Sequence, residues 1–234
     1  MKNKKNRFPP PSSHDLEVWN NVSSDLIDWL YSGLTGKFQI KGHQIIGSWS
    51  KVFTNKIVLE VGCGHGHHLK FSNQAYQSYF GLDIEIKFLE TLLNRYPENS
   101  VINGDAYGLP FKNHSVDCVL SIYNFEHLRE LDKALEEISR VLKPDGMLLL
   151  SIPAEGGFLY GVGRSLTSKP YMERKYGIDY DAIVHYEHCN NYKDIVNNLK
   201  RKFNIIEKSF IPFCIPSFQL NAIICIRAKP ICFC

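Results

Sequence analysis

The stretch from Ile57 to Gly66, Ile-Val-Leu-Glu-Val-Gly-Cys-Gly-His-Gly, constrains the fold more than any other part of the chain. Its β-branched and aliphatic first half reads as a strand buried on both faces, the habit of a central strand in a parallel sheet. Gly62, Gly64 and Gly66 then read as a tight turn where backbone comes close to a ligand, because glycine adopts left-handed conformations without steric cost. Their spacing excludes two common phosphate binders. A dinucleotide fingerprint needs G-x-G-x-x-G, and His67 stands where its third glycine belongs. No Lys-Ser/Thr pair follows the turn, so a Walker-type phosphate loop is excluded as well.

Around this stretch the apolar pattern alternates between strand and helix. Ahead of it, Leu16, Trp19, Val22, Leu26 and Leu30 recur at helical spacing, and Ile45, Ile46, Trp49 and Phe53 predict a second helix after Gly42. Behind it a helix is expected to begin near His67, carried weakly by Leu69, Phe71 and Tyr76. Tyr79–Asp83 reads as a short strand ending in a carboxylate. Ile86, Leu89, Leu92, Leu93 and Tyr96 form a helix face stopped by Pro97. Strands follow at Val101–Asn103 and at about Val116–Ser121. The clearest helix carries Leu131, Ala134, Leu135, Ile138, Val141 and Leu142, with acids early and Arg140 and Lys143 late, which complements the macrodipole. Lys143-Pro144-Asp145-Gly146 breaks it, and Met147–Ile152 is the fifth strand. From Ala154 to about Glu187 the text is rich in Gly, Tyr and basic residues and poor in periodicity, which reads as an inserted loop. Tyr192, Ile195, Val196 and Leu199 carry a last helix, and Phe203–Ile211 and Leu220–Ile226 a final pair of strands.

Composition sets the outer bounds. At 234 residues the chain suits one α/β domain with extensions. Four of its 27 basic residues, Lys2, Lys4, Lys5 and Arg7, precede Pro9-Pro10-Pro11 and read as a frayed, solubilising tail. The rest is close to neutral, with no sign of the broad basic face that a nucleic-acid binder displays. No apolar segment approaches the ~20 residues that span a bilayer, and the N-terminus has charge without the apolar core of a secretory signal. Cys63, Cys118, Cys189, Cys214, Cys225, Cys232 and Cys234 are odd in number and scattered, which suits reduced thiols and a cytoplasmic setting. The terminal Cys232-Phe233-Cys234 is too short a cluster for zinc.

With its glutamate included, Glu60-x-Gly62-x-Gly64-x-Gly66 resembles motif I of the class I S-adenosylmethionine (SAM) dependent methyltransferases. Gly104-Asp105-Ala106 with Leu109-Pro110-Phe111 and Asp117-x-Val119 resembles the pattern of the small-molecule, ubiquinone-biosynthesis type. Arg140 to Pro153 resembles the family's usual post-helix signature, with Asp145 where glycine is common. The resemblance covers about residues 55–153 by motif and the remainder by layout. It implies an α/β fold: a Rossmann-like, seven-stranded, mostly parallel sheet with helices on both faces and a reversed C-terminal hairpin. The implied division is 1–13 flexible basic, Pro-rich tail; 14–54 N-terminal helical lid; 55–153 SAM-binding core; 154–188 substrate-pocket insertion; 189–230 C-terminal helix and final strands. The implied cofactor is SAM, with S-adenosylhomocysteine as product. By resemblance it is bound by Glu60, Gly62, Cys63, Gly64, Gly66, Asp83, Ile84, Asp105, Ala106 and Tyr123. The glycine backbone passes under the methionine part, with Glu60 ordering the loop or reaching the amino-acid moiety. Asp83, at a strand's carboxyl end, takes the ribose diol. Asp105 accepts from the adenine amine, Ala106 offers its amide to the ring, and Leu109 covers a face.

Methyl transfer from a sulfonium needs alignment and exclusion of water, and a base only when the acceptor must lose a proton. The candidate bases are His127, His185 and His188, with Glu126 and Glu187 beside two of them; the Tyr186-Glu187-His188 cluster is the first choice. His188, Glu187 and His127 are therefore the candidate catalytic residues, and Tyr160, Arg164 and Tyr186 the candidate acceptor contacts. Arg164, Lys169 and Arg174 suit an anionic group. His65, His67, His68 and the pair His185-x-x-His188 lack the helical i, i+4 geometry with a third ligand, so no metal is expected. Ser121-Ile122-Tyr123-Asn124 replaces the Asn/Asp-Pro-Pro-Tyr/Phe of enzymes acting on amide or base nitrogens, and no Pro-Cys nucleophile is present, which counts against DNA. The expectation is a cytoplasmic methyltransferase acting on an oxygen of a small metabolite, sugar or glycolipid precursor. The alternatives are a SAM-binding regulatory partner without catalysis and an RNA methyltransferase, the latter needing a basic surface.

Overall fold

The computed structural model describes residues 9–72 and 76–231, apart from the side chains of residues 24–28, 30, 32, 34 and 35. The basic residues Lys2 to Arg7, Cys232 and Cys234, and the side chains of Leu26 and Leu30 lie outside this description. Five strands, β1 (Ile57–Val61), β2 (Ser78–Asp83), β3 (Ser100–Asn103), β4 (Val116–Ile122) and β5 (Leu142–Pro153), pair in parallel. The last two, β6 (Phe203–Ile211) and β7 (Ile223–Pro230), run as an antiparallel hairpin, and β7 lies antiparallel against β5. The sheet order is β3-β2-β1-β4-β5-β7-β6. Strand order therefore reverses between β1 and β4, and in such a sheet the crevice beyond the carboxyl ends is where ligands bind.

Helices cover both faces. On one, α4 (Leu131–Val141) turns Leu131, Ala134, Leu135, Ile138 and Val141 inward and, with Ile195 and Leu199 of α8 (Tyr192–Lys202), packs on Leu59, Val119 and Leu148. Each of the large aliphatic chains buried there contributes on the order of 1.5–3 kcal/mol. On the other face, α2 (Leu34–Ser50) and α3 (Ile86–Arg95) bring Ile46, Leu89 and Leu92 against Val58, Cys118 and Leu120. A smaller, third core lies off the sheet. There α6 (Ser168–Tyr176) and α7 (Tyr180–Glu187) enclose Met172, Ile183 and Val184 against Leu16, Trp19 and Trp29 of α1 (Ser13–Ser32).

β5 begins at Leu142 where the sequence places Met147, and β7 spans Ile223–Pro230 where it places Leu220–Ile226; three further elements differ from the sequence expectation. The second helix begins at Leu34, well before Gly42, which lies inside it. Gly42 is a point of close approach: a side chain there would meet the Tyr123 hydroxyl at 2.3 Å and Ser151 Oγ at 2.8 Å. After the glycine bend the described residues form a 3-10 turn, His67–Lys70, closed by the Phe71 and Ser72 amides donating to the His68 carbonyl. The segment 154–187 is helical, comprising α5 (Phe158–Leu166), α6 and α7. Helices of 8–9 residues are too short to display a sustained 3.6-residue period. Moreover, α6 and α7 bury their apolar residues against α1 and not against the sheet.

Candidate functional site

The glycine bend leaves β1 at the carboxyl edge and is pinned to the end of β2. The Gly62 and Cys63 amides donate to the Leu82 carbonyl at 2.8 and 3.1 Å, and the Gly64 amide donates to Asp83 Oδ2 at 2.9 Å. Gly62, Gly64 and Gly66 all have positive φ (75°, 50° and 74°). Their missing side chains serve different ends. A Cβ on Gly62 would strike the Asn124 carboxamide at 2.3 Å and one on Gly66 would strike Leu92 at 2.9 Å, whereas Gly64 faces open space. Only the middle glycine leaves the place of its side chain open; at the outer two protein fills it.

The residues that follow border the same edge. Asp83 Oδ1 accepts from the Glu85 amide at 3.0 Å, and burial raises its pKa despite the Glu85 and Gly64 amides. Beside it Ile84 is 72% exposed, an apolar side chain left uncovered at a strand end. Asn103 Nδ2 donates to the Ile84 carbonyl at 2.9 Å and ties the end of β3 to β2. Asp105 is exposed, with Oδ1 accepting from the Tyr107 amide at 3.0 Å, while Ala106 and Leu109 are buried beneath it. Glu60, Cys63 and Tyr123 are placed otherwise. Glu60 is buried under the bend, accepts from the Tyr79 hydroxyl at 2.6 Å, and is pushed up to about 8 by burial. Burial also pushes the Cys63 thiol up. Tyr123, at φ 55°, donates its hydroxyl to the Gln39 carbonyl at 3.0 Å, so its side chain is committed to α2.

Sequence periodicity missed what α1 and α2 bring to the bend. The Tyr31 hydroxyl and His43 Nε2 are 2.6 Å apart, His43 Nδ1 and His68 Nδ1 are 3.3 Å apart, and the Tyr31 ring stacks on His67 at 4.5 Å. Burial holds His43 well below the histidine range and lowers His68 to about 3, so both are neutral around pH 7.

A second cluster gathers beyond β4 and β5. His188, the C-cap of α7, has Nδ1 2.6 Å from Glu155 Oε2. The His127 ring meets His188 edge-on at 4.7 Å, and His127 Nδ1 is 3.9 Å from Glu187 Oε2. Burial opposes charge on His188, but Glu155, with Glu126 and Glu187, outweighs it and raises the pKa. His127 keeps 40% of its side chain accessible, and desolvation by the surrounding protein, then His188, lowers its pKa. Glu126 is 3% exposed, is pushed up to about 7 by burial, and its Oε2 is enclosed without a hydrogen-bond partner among the described residues. Asn190 laces the cluster together, its amide donating to the Glu126 carbonyl at 3.1 Å and Nδ2 to the Leu128 carbonyl at 2.6 Å. Glu155 had no signal in the sequence, because only the fold brings it to His188.

Of the expected acceptor contacts, Tyr160 packs half-buried on the main core. Arg164 lies 3.0 Å from Asp181 Oδ1 through Nη2, while its Nε and Nη1 are enclosed with no partner among the described residues. Tyr186 is exposed on α7 under the Arg129 guanidinium at 5.0 Å. His185 Nδ1 is 2.6 Å from the Asp181 carbonyl of its own helix, and Lys169 pairs with Asp181 and Glu173. Among the described residues no three His, Cys, Asp or Glu side chains converge as a metal would require, and no helix is long and apolar enough to cross a membrane.

Comparison with known proteins bears on this arrangement. A family profile described as "Methyltransferase domain" matches residues 59–150. A probable S-adenosylmethionine-dependent methyltransferase of Mycolicibacterium smegmatis is 30% identical over 118 residues, covering 50% of this chain and 45% of the relative. A fatty-acid O-methyltransferase of the same organism is 34% identical over 98 residues, covering 40% and 36%. The matches thus span less than half the length of these relatives. Among solved structures, the PH0226 protein of Pyrococcus horikoshii superposes with a TM-score of 0.62 at 16% identity, over 86% of this chain and 93% of that one, which is a likeness of fold. The reversed hairpin and the glycine bend agree with these relationships: residues 59–150 match a methyltransferase domain, and the sheet has the Rossmann-like methyltransferase fold.

Proposed function

We propose that the chain transfers the methyl group of SAM to an oxygen of a small or medium acceptor, such as a metabolite, sugar or glycolipid precursor. The observation that carries the acceptor chemistry is the His188–Glu155 pair at 2.6 Å, set beside Glu126 at the edge that also holds the glycine bend. A hydroxyl must lose its proton as it attacks, and an imidazole whose Nδ1–H is held by a carboxylate leaves Nε2 to accept it. That one relative is named a fatty-acid O-methyltransferase supports oxygen as the acceptor atom.

The edge suits the cofactor. Gly64 leaves its pocket side open. Asp83 spends one bond on each oxygen, at Gly64 and Glu85, and a carboxylate with about four acceptor sites retains two for a ribose diol. The uncovered Ile84 offers apolar surface to a planar base, and the exposed Asp105 an acceptor for its amine. When bound, SAM supplies an electrophilic methyl on a sulfonium that leaves as a neutral thioether. The protein's part is to align the acceptor oxygen, exclude water and hold its proton on His188, with Glu155 stabilising the imidazolium; Glu187 and His127 frame the recess. Arg164 Nε and Nη1, without a partner among the described residues, favour an acceptor that also bears a phosphate or carboxylate.

The test is to incubate the protein with methyl-labelled SAM and fractionated extract and identify the labelled compound by mass spectrometry. Label on an oxygen of a small anionic metabolite is expected, and Arg164→Ala should raise its KM about tenfold without changing SAM affinity. Measurable SAM binding with no labelled product in any fraction would overturn the reading.

A further inference from the structure

The turn between β6 and β7, residues 212–222, lies beside α5 at the carboxyl edge of the sheet. The Phe158 amide donates to Gln219 Oε1 at 2.9 Å, and Phe218 stacks on Tyr192 at 4.9 Å. No charged residue occurs between Lys208 and Arg227, nor between Glu155 and Arg164. Yet this uncharged surface is not folded away. Phe158 is 69% exposed, Leu166 74% and Phe213 57%, with Val162, Ile215 and Leu220 also exposed. The turn is held from within by Asn221, itself fully buried: Oδ1 accepts from the Phe213 amide at 3.0 Å, and Nδ2 donates to the carbonyls of Ile215 and Ser217 at 2.9 and 2.7 Å. The apolar side chains are therefore presented to solvent by an ordered backbone on two adjoining elements, and large apolar groups exposed together mark a binding surface.

Cations frame it at both ends. Lys193 Nζ lies 5.4 Å over the Phe218 ring and Lys208 Nζ 5.6 Å over Tyr192. Beyond Leu166 an open groove of about 640 Å³ is lined by Trp29, Tyr171, Arg174 and Lys175. In a two-fold dimer built on this face the same patch would meet itself, and the framing cations would be brought toward one another. An anionic surface reverses that cost. Basic side chains beside exposed aromatic and aliphatic ones are the pattern that seats on lipid headgroups while apolar groups enter the acyl layer. We infer that this face docks on an anionic phospholipid bilayer, with α5 and the β6–β7 turn as the inserted elements.

Docking there sets α5, which carries the expected acceptor contacts Tyr160 and Arg164, against the lipid, so an acyl-anchored acceptor would reach them without leaving the bilayer. The inference goes beyond the methyl-transfer reading, and vesicle binding needs neither cofactor nor turnover, so the two fail separately. The full chain is sedimented with phosphatidylcholine vesicles containing or lacking phosphatidylglycerol. Binding to the phosphatidylglycerol vesicles that weakens with added salt is expected, with a loss of about tenfold or more in the Phe213→Ser, Ile215→Ser double variant. Phe158→Ser, on a separate element, should also reduce binding, and all variants should keep wild-type affinity for S-adenosylhomocysteine by calorimetry. No binding by the wild type, or equal binding by wild type and variants, would overturn the inference. So would a dimer in velocity sedimentation that the double variant dissociates, which would assign the face to a second copy.

Discussion

His188 and Glu155 face each other across 2.6 Å, and the sign of the resulting shift dictates the response to pH. A base accepts a proton only when neutral, so kcat/KM should fall as pH drops through the raised value of His188. Glu155→Gln keeps the side-chain shape but removes the charge that outweighs burial. The acid limb of the profile should then move to lower pH, with a plateau reduced about tenfold or more. Glu126, pushed up to about 7 by burial, is the other buried group that could set such a limb, so Glu126→Gln supplies the control. A limb that moves with Glu126→Gln and not with Glu155→Gln would assign the base to Glu126. Of these three residues the sequence singled out His188 by its neighbours, and Glu126 only as the acid beside His127. Glu155 lies 33 positions from its partner, a separation at which spacing carries no information about contact.

At the scale of elements, the joint between α2 and the glycine bend is built on two neutral, buried histidines. Their folded-state pKa values are depressed, so below about 6.5 the unfolded chain binds more protons than the folded one. Stability from this joint is complete above about 6.5 and is lost as pH falls toward 3. Glu60 has the opposite slope, since its raised value makes folding less favourable as pH rises from 4.5 to about 8. Global melting therefore mixes two trends, and a local measurement separates them. Corrected amide exchange in α2 and the His67–Lys70 turn should accelerate between about pH 7 and about pH 5. His43→Phe should lose most of that acid response while costing about 1–3 kcal/mol near neutrality through the unpaired Tyr31 and His68. Exchange indifferent to pH would show that these groups do not hold the joint. Neither the joint nor the true start of α2 was legible, because Gly42 reads as a boundary in one dimension and as a contact with Tyr123 in three.

Across the whole molecule, α1 belongs with the segment after β5. Asp15 Oδ1 accepts from the Asp179 amide at 3.1 Å, and Trp19 and Trp29 share a core with Met172 and Ile183. Ile183→Ala should cost about 2–4 kcal/mol. Hydrogen exchange should then rise together in α1, α6 and α7 while β1, β4 and β5 keep their protection; a rise confined to α7 would show that the three helices do not open as one unit. The sequence by itself determined the central strand, the glycine bend and a carboxylate at the end of the next strand, and through the resemblance of its motifs it implied the parallel sheet with a reversed hairpin. The first are written in short-range patterns: apolar runs, glycine spacing and a carboxylate at a strand end. The tertiary structure alone decided which glycine faces open space, that 154–187 folds as helices on α1, and that His188 meets Glu155 while His43 meets His68. Burial, pKa and the filling of a glycine's empty side are set by neighbours distant in the chain, and those neighbours exist only once the layers have packed.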